Sequence, residues 1–122
     1  MADILVVEDE IAIAEALLAL FEDQGHRVRA APNGRAGLEA AAERRPDLVL
    51  TDTTMPVMAG PDMVASLLDD HAFAAIPVVV MSAMLEGEIR PTYRRCTAFI
   101  QKPFRVHEVA ALIERALRGV RS

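Results

Sequence analysis

Short apolar runs alternate with helical segments along the whole chain, and this alternation limits the possible folds more than any other feature. The apolar runs are residues 3–8, 26–31, 48–52, 76–81 and 97–101. Helical segments are predicted at 11–25, 33–45, 61–70 and 106–120, with a short or irregular one within 84–96. Strands that alternate with helices form a parallel sheet covered on both faces. We therefore predict a single α/β domain over residues 1–122, with five parallel strands and five helices in the doubly wound, flavodoxin-like order 2-1-3-4-5.

Composition narrows the setting in which such a domain works. The 122 residues are 52% hydrophobic but only 4% aromatic, which predicts an aliphatic, alanine-rich core. A net charge of −5 argues against unaided binding to nucleic acid, because phosphate contacts need clustered basic residues. The single cysteine, Cys96, suits a reducing cytosol, and the apolar segment 11–21 is too short to cross a bilayer. We expect a cytoplasmic domain without direct contacts to nucleic acid or membrane.

The run at residues 48–52 ends on a carboxylate. Leu48, Val49 and Leu50 predict a strand buried on both faces, and Asp52 follows where that strand leaves the core. An acid held there can act as a nucleophile or a metal ligand. On this stretch alone, a helix-capping or solvated Asp explains the residue equally well.

Four of the five predicted strands end in a chemically active side chain. These are Glu8 and Asp9 after the first, Asp52 after the third, Ser82 after the fourth and Lys102 after the fifth. The second strand ends in Ala31 and Pro32 and would lie at the sheet edge. Each active group alone has an ordinary explanation as a cap, turn residue or solvated charge. Together, at the carboxyl ends of neighbouring strands, they indicate one site.

The chemistry of this set favours a magnesium-assisted phosphoryl site. Three carboxylates in one cleft repel one another unless a cation intervenes. Oxygen ligands suit Mg²⁺, which would also neutralise a phosphoryl group arriving at Asp52. Lys102, the only lysine in the chain, would add a mobile positive charge, and Ser82 would donate a hydrogen bond to a phosphoryl oxygen. Asp9 is also predicted to cap the first helix, with Ile11, Ala14, Leu18 and Phe21 on its buried face.

These motifs together resemble the receiver domain of two-component response regulators. The residues that carry the resemblance are Val6-Val7-Glu8-Asp9, Leu50-Thr51-Asp52-Thr53-Thr54-Met55-Pro56, Met81-Ser82-Ala83 and Lys102-Pro103-Phe104. The resemblance implies that Asp52 accepts a phosphoryl group from a histidine kinase or phosphotransfer protein. It implies that Mg²⁺ is bound by Glu8, Asp9, Asp52 and the backbone carbonyl of Thr54, and that Ser82 and Lys102 contact the phosphate. It further implies a cis peptide bond before Pro103 and an aromatic switch at Phe99 that turns inward with Ser82.

One segment departs from the family pattern. Residues 84–96 carry Gly87 and Pro91 with a basic cluster of Arg90, Arg94 and Arg95. That cluster is either a solvated face or a contact surface for an acidic protein partner. We expect output to a downstream protein through the surface of strand 4, helix 4, strand 5 and helix 5, with the chain acting as a monomer or weak dimer.

Other functions remain open on the sequence. Since no output domain follows Ser122, the chain is expected to be a stand-alone receiver or a fragment of a longer protein. A degenerate receiver would bind partners without phosphorylation. A small Mg²⁺-dependent phosphohydrolase would use Asp52 as a nucleophile and turn over phosphate esters. A flavin site is disfavoured because no Ser/Thr/Gly-rich phosphate loop follows the first strand.

Overall fold

A computed structural model describes residues 2–53, 60–93 and 96–121, in which five strands alternate with five helices. The strands are β1 (Asp3–Val7), β2 (Arg27–Ala31), β3 (Leu48–Asp52), β4 (Val78–Ser82) and β5 (Ala98–Gln101). The helices are α1 (Ile11–Asp23), α2 (Gly34–Glu43), α3 (Gly60–Asp69), α4 (Glu86–Ile89) and α5 (Val106–Arg121). All strand pairs are parallel, in the order β2-β1-β3-β4-β5. The predicted fold class and strand order are confirmed.

The central strands are apolar on both sides because helices cover both faces of the sheet. Every residue of β3 and β4 is buried. In β1 the side chains alternate between two cores, with Leu5 and Val7 in one and Ile4 and Val6 in the other. Because both faces are occupied, a polar side chain at the carboxyl end of a central strand can reach solvent only where the strands end, at the carboxyl edge of the sheet.

Helix α2 lies unusually close to β1. The side chain of Asn33 caps the helix by accepting a hydrogen bond from the Ala36 N–H at 2.9 Å. Further along, Gly37 faces the sheet, and a Cβ atom placed there would lie 3.0 Å from Cγ2 of Val7. A side chain at residue 37 would therefore fit at this depth only if Val7 shifted by a few tenths of an ångström.

The buried face of α1 is rotated relative to the predicted one. Ala14 and Phe21 are buried as predicted, but Leu17 is buried in place of Leu18, and Ile11 is 75% exposed. Ile13 and Leu20 pack against the core on the same side as Leu17, so Ile11 and Leu18 lie off the buried face. The N-cap is Glu10, not Asp9 as predicted, and it makes no side-chain capping bond.

The segment between β4 and β5 is short and irregular, as expected. The single turn of α4 continues into a 3₁₀ helix at Arg90–Thr92, and buried Ile89 and Tyr93 anchor the segment to the core. Several residues singled out in the sequence lie outside the described ranges: Thr54, Met55, Pro56, Arg94 and Arg95. None of the helices in the described part of the chain has the length and apolarity needed to cross a membrane.

Candidate functional site

The predicted site residues meet at the carboxyl edge of the sheet. β1, β3, β4 and β5 are consecutive neighbours, so the side chains that follow or end them share this edge. Those side chains are Glu8, Asp9, Asp52, Ser82 and Lys102. β2, which ends at Ala31, lies at the outside of the sheet next to β1. The strand without a chemically active end is therefore the one that lies outside the group of β1, β3, β4 and β5.

Three carboxylates form the acidic part of the site. Each of Glu8, Asp9 and Asp52 contributes a carboxylate oxygen, and these oxygens lie within 4.8 Å of one another. Glu8 and Asp52 are 3% and 7% exposed, whereas Asp9 is exposed to solvent. Asp9 does not cap α1. Its carboxylate lies beside the other two acids, on the solvent side of the cleft.

Backbone amides orient the two buried acids. The N–H of Glu10 donates to Oε2 of Glu8 at 3.1 Å, and the N–H of Thr53 donates to Oδ1 of Asp52 at 2.8 Å. Both bonds come from residues that follow the ends of β1 and β3. The acids are therefore fixed by the turns that leave the sheet.

Lys102 connects the acids from the other side of the cleft. Its Nζ lies 3.2 Å from Oδ1 of Asp52 and 3.3 Å from Oε1 of Glu8. Its backbone N–H donates to the carbonyl of Ser82 at 2.7 Å, which joins the end of β5 to the end of β4. The peptide bond between Lys102 and Pro103 is cis, as the resemblance to receiver domains implied.

Within residues 2–53, 60–93 and 96–121, the charges of this site are not balanced. Burial, helped by the nearby charge of Asp52, raises the pKa of Glu8 from 4.5 to about 7, although the Glu10 N–H and the Lys102 ammonium act in the opposite direction. Burial of the ammonium lowers the pKa of Lys102, but the carboxylates of Asp52 and Glu8 outweigh that effect and leave it above its ordinary value. One ammonium thus faces three carboxylates, an arrangement that favours a bound cation.

The donor set fits a magnesium ion. Its three carboxylates are hard oxygen ligands, and Asp9 lies on the solvent side, where water would complete the coordination. His and Cys side chains do not join this cluster in the described part of the chain, so it does not resemble a zinc site. The carbonyl of Thr54, the fourth predicted ligand, lies outside the described residues.

Ser82 stands next to the acids but is hydrogen-bonded to its own loop. It is 3% exposed, and its Oγ accepts a hydrogen bond from the N–H of Met84 at 2.9 Å. It directly follows Met81, which pairs with Asp52 across β3 and β4. The hydroxyl is therefore near the acceptor strand, with a bond that ties it to the start of the α4 segment.

Phe99 lies on β5 and is half-buried against the core. Its ring meets that of Tyr93 edge to face, with centroids 6.5 Å apart, and Cζ of Arg90 lies 4.8 Å from its centroid. Neither contact is among the predictions from the sequence. Pro91 interrupts any helical period between Ile89 and Tyr93, so the sequence offers no regular pattern that indicates a contact here.

Comparison with known proteins extends over nearly the whole chain. Residues 4–114 match the family model described as the response regulator receiver domain. The KDP operon transcriptional regulatory protein KdpE of Escherichia coli is 35% identical over 120 residues, which cover 97% of this chain and 52% of KdpE. The regulatory protein AtoC of Escherichia coli is 35% identical over 117 residues, which cover 94% of this chain and 25% of AtoC.

Solved structures give the same result. The chemotaxis protein CheY4 of Vibrio cholerae superposes with a TM-score of 0.90 at 26% identity, covering 95% of this chain and 98% of CheY4. The receiver domain of NtrX from Brucella abortus gives a TM-score of 0.86 at 32% identity, with 95% and 98% coverage. This chain spans about half or less of the length of the first curated relatives it matches. By its sequence, its strand order and the acids at its sheet edge, the chain belongs to the response regulator receiver domain family.

Proposed function

We propose that this receiver domain accepts a phosphoryl group on Asp52, with Mg²⁺ bound beside it, and thereby changes the surface formed by β4, α4, β5 and α5. The observation that carries the proposal is the contact of Lys102 with Asp52 inside a cluster of three carboxylates. A carboxylate placed in this way has a cation at hand, is nearly inaccessible to bulk water, and is held rigidly by a central strand. These are the conditions that phosphoryl transfer needs.

The proposed ligands for Mg²⁺ are Glu8, Asp9, Asp52 and the backbone carbonyl of Thr54. Receiver domains bind Mg²⁺ at an acidic pocket, and the cluster of Glu8, Asp9 and Asp52 is such a pocket. When bound, the metal would neutralise charge on the phosphoryl oxygens and the acids. Lys102 would contact the phosphoryl group once that group is bonded to Asp52, since its Nζ already lies 3.2 Å from Oδ1 of Asp52.

In the transfer itself, a carboxylate oxygen of Asp52 would form a bond to phosphorus as the bond from phosphorus to the donor's histidine nitrogen breaks. The product is an acyl phosphate on Asp52 and a free imidazole on the donor. To donate its hydroxyl hydrogen to a phosphoryl oxygen, Ser82 would rotate about its Cα–Cβ bond, and this rotation would move Oγ away from the Met84 N–H, which now donates to it at 2.9 Å. Phe99, one strand away, is the proposed switch residue that responds to this movement.

The phosphodonor is proposed to be a histidine kinase or phosphotransfer protein. Four large apolar residues in the described part of the chain are exposed: Ile11, Met84, Leu85 and Val106. All four come within five residues after the carboxyl end of a strand, at the end of the sheet where Asp52 lies. Exposed apolar residues at the same end of the sheet as a buried acid suit a protein donor that covers the site during transfer. The proposed setting is the cytoplasm, with the output being contact with a downstream protein.

The main test is covalent modification of Asp52. Purified protein is incubated with Mg²⁺ and a small acyl phosphate, and the intact mass and tryptic peptides are measured. We expect one phosphoryl group on Asp52, lost in Asp52→Asn and reduced when EDTA replaces Mg²⁺. An unmodified wild-type protein would refute the proposal and leave the degenerate receiver as the better description.

The same samples separate a phosphoacceptor from an enzyme. A receiver consumes donor only as fast as its own acyl phosphate hydrolyses, so it assists its own phosphorylation and dephosphorylation without other substrates. A Mg²⁺-dependent phosphohydrolase would instead turn over phosphate esters many times. Sustained hydrolysis of a phosphate monoester that requires Asp52 would favour that alternative.

A further inference from the structure

The ring of Phe99 is held by two side chains from the segment that follows α4. The guanidinium of Arg90 covers its face, with Cζ 4.8 Å from the centroid, which is the geometry of a cation–π contact. Tyr93 meets its edge at an interplanar angle of 77°. Since Tyr93 is itself 2% exposed and anchored in the core, Arg90 is the movable member of this group.

A short path leads from Arg90 to the hydroxyl of Ser82. Met84, whose N–H donates to Ser82 Oγ, lies just before the single helical turn Glu86–Ile89, and Arg90 directly follows that turn. The backbone of this turn forms the path, and the carboxylate of Glu86 also pairs with the guanidinium of Arg90 at the exposed surface. α4 is only four residues long. A change in the position of its first residues is therefore passed to Arg90 through a single helical turn.

A second connection joins Phe99 to Ser82 through the sheet. Phe99 pairs with Val80, and Ser82 pairs with Gln101, across the parallel strands β4 and β5. The N–H of Lys102 donates to the Ser82 carbonyl at 2.7 Å. Ser82 is therefore connected to Phe99 on two sides, by the sheet and by the α4 turn that ends in Arg90.

We propose that Arg90 is a positioning residue that holds Phe99 in its resting place and thereby opposes phosphorylation of Asp52. This inference rests on the function proposed above. When Ser82 turns its hydroxyl to a phosphoryl group, it gives up the Met84 N–H, and the start of the α4 turn is released. The contact between Arg90 and Phe99 is then weakened. Coupling between two equilibria is reciprocal, so a contact that phosphorylation weakens must also disfavour phosphorylation.

The ion pair with Glu86 does not explain the position of Arg90 equally well. Both partners are more than half exposed, with 54% and 52% of their side-chain surface accessible, and pairs of this kind contribute little. The contact with Phe99 is the one that depends on where the aromatic ring lies. Removing the two contacts separately therefore distinguishes a surface ion pair from a restraint on the switch.

The test measures the affinity of a phosphoryl analogue. Beryllofluoride is titrated into wild-type protein with saturating Mg²⁺, and the dissociation constant is obtained by calorimetry. We expect Arg90→Gln to bind about two- to five-fold more tightly, the effect of losing an exposed cation–π contact from the resting state. Arg90→Lys should fall between the two, since an ammonium keeps the charge over the ring. The fluorescence of Tyr93 gives a second measurement of the same binding, because the chain contains one Tyr and no Trp.

Matched variants separate this effect from general loosening. Glu86→Gln removes the ion pair and leaves the ring contact, so its affinity should stay near wild type. Arg35→Gln removes an exposed cation from α2, far along the chain from Phe99, and controls for net charge. In a Phe99→Leu background, Arg90→Gln should no longer change the affinity, because the ring that Arg90 covers is gone.

The outcomes distinguish the two proposals. If wild-type protein fails to bind beryllofluoride with Mg²⁺, the proposed function is wrong, and this inference is wrong with it. If wild type binds and Asp52→Asn does not, but Arg90→Gln is unchanged or weaker, only this inference is refuted. The same conclusion follows if Arg90→Gln has its full effect in the Phe99→Leu background.

Discussion

At the scale of single residues, Glu8 carries an electrostatic cost in the metal-free protein. It is 3% exposed, and its pKa of about 7 lies above the ordinary value of 4.5. Below pH 4.5 the acid is neutral in both the folded and the unfolded chain. As the pH rises from 4.5 through 7, Glu8 ionises in the unfolded chain before it ionises in the folded protein, where it is buried beside Asp52. The contribution of Glu8 to the free energy of unfolding therefore decreases over this range.

Replacing Glu8 with Gln should therefore stabilise the metal-free protein while impairing its site. At pH 8 in EDTA, we expect the free energy of unfolding to rise by up to about 3 kcal/mol, the equivalent of the raised pKa. The gain should shrink as the pH falls from 7 toward 4.5, and Mg²⁺ affinity should fall at all these pH values. Urea unfolding at several pH values measures the first effect and calorimetry the second. Glu15→Gln, on the exposed side of α1, is the control, and an equal gain there would contradict this account.

The positions of site residues could be predicted when those residues follow regular strands, and could not be predicted when they lie in the irregular segment after α4. Asp52, Glu8 and Lys102 directly follow apolar runs, so their positions at the sheet edge could be predicted from the strands behind them. Arg90 and Tyr93 lie in a segment without regular periodicity. Their contacts with Phe99 depend on how α4 ends, which local sequence does not specify.

At the scale of secondary-structure elements, the packing of α2 on β1 supports the site from behind. A Cβ at Gly37 would lie 3.0 Å from Val7, which is fully buried and directly precedes Glu8. Val7 is β-branched and has little rotamer freedom to move away. The approach of this helix therefore limits how far the end of β1 can shift.

Gly37→Ala should destabilise the protein although Ala is the better helix former. Ala favours a helix by about 1 kcal/mol over Gly, but overpacking a core typically costs about 1–3 kcal/mol. We expect a net loss of about 1 kcal/mol in urea unfolding. Gly87→Ala in α4 is the matched control, because in the described part of the chain a Cβ placed there would meet no atom within 4 Å outside its own helical turn, and it should be neutral or stabilising. Two variants of equal stability would show that Val7 yields without cost.

Element prediction from sequence succeeded where burial is two-sided and partly failed where a helix is apolar around most of its surface. The central strands are continuous apolar runs because both faces are covered, and their pattern allows little else. The α1 stripe was predicted with Ile11 and Leu18 on the buried face, yet Leu17 is buried in place of Leu18 and Ile11 is 75% exposed. Residues 17 and 18 are both leucine, so the helical period alone does not decide which of them faces the core.

At the scale of the whole molecule, the sheet assembles a site from distant parts of the chain. Lys102 and Glu8, which lie 3.3 Å apart at Nζ and Oε1, are separated by 94 positions in sequence. The acids themselves come from the ends of β1 and β3. An unfolded chain does not hold these groups together, so a cation that needs all of them binds only the folded state.

Mg²⁺ should therefore stabilise the fold as a whole. A tenfold excess of Mg²⁺ over its dissociation constant would add about 1.4 kcal/mol to the free energy of unfolding and raise the melting temperature by a few degrees. The measurement compares thermal unfolding in MgCl₂ with unfolding in NaCl of equal ionic strength, since screening alone also relieves repulsion between carboxylates. In Asp9→Asn the Mg²⁺-specific shift should largely disappear, and because Asp9 is exposed the variant should still fold. An equal shift in wild type and Asp9→Asn would show that the stabilising ion binds elsewhere than at the acids of this sheet edge.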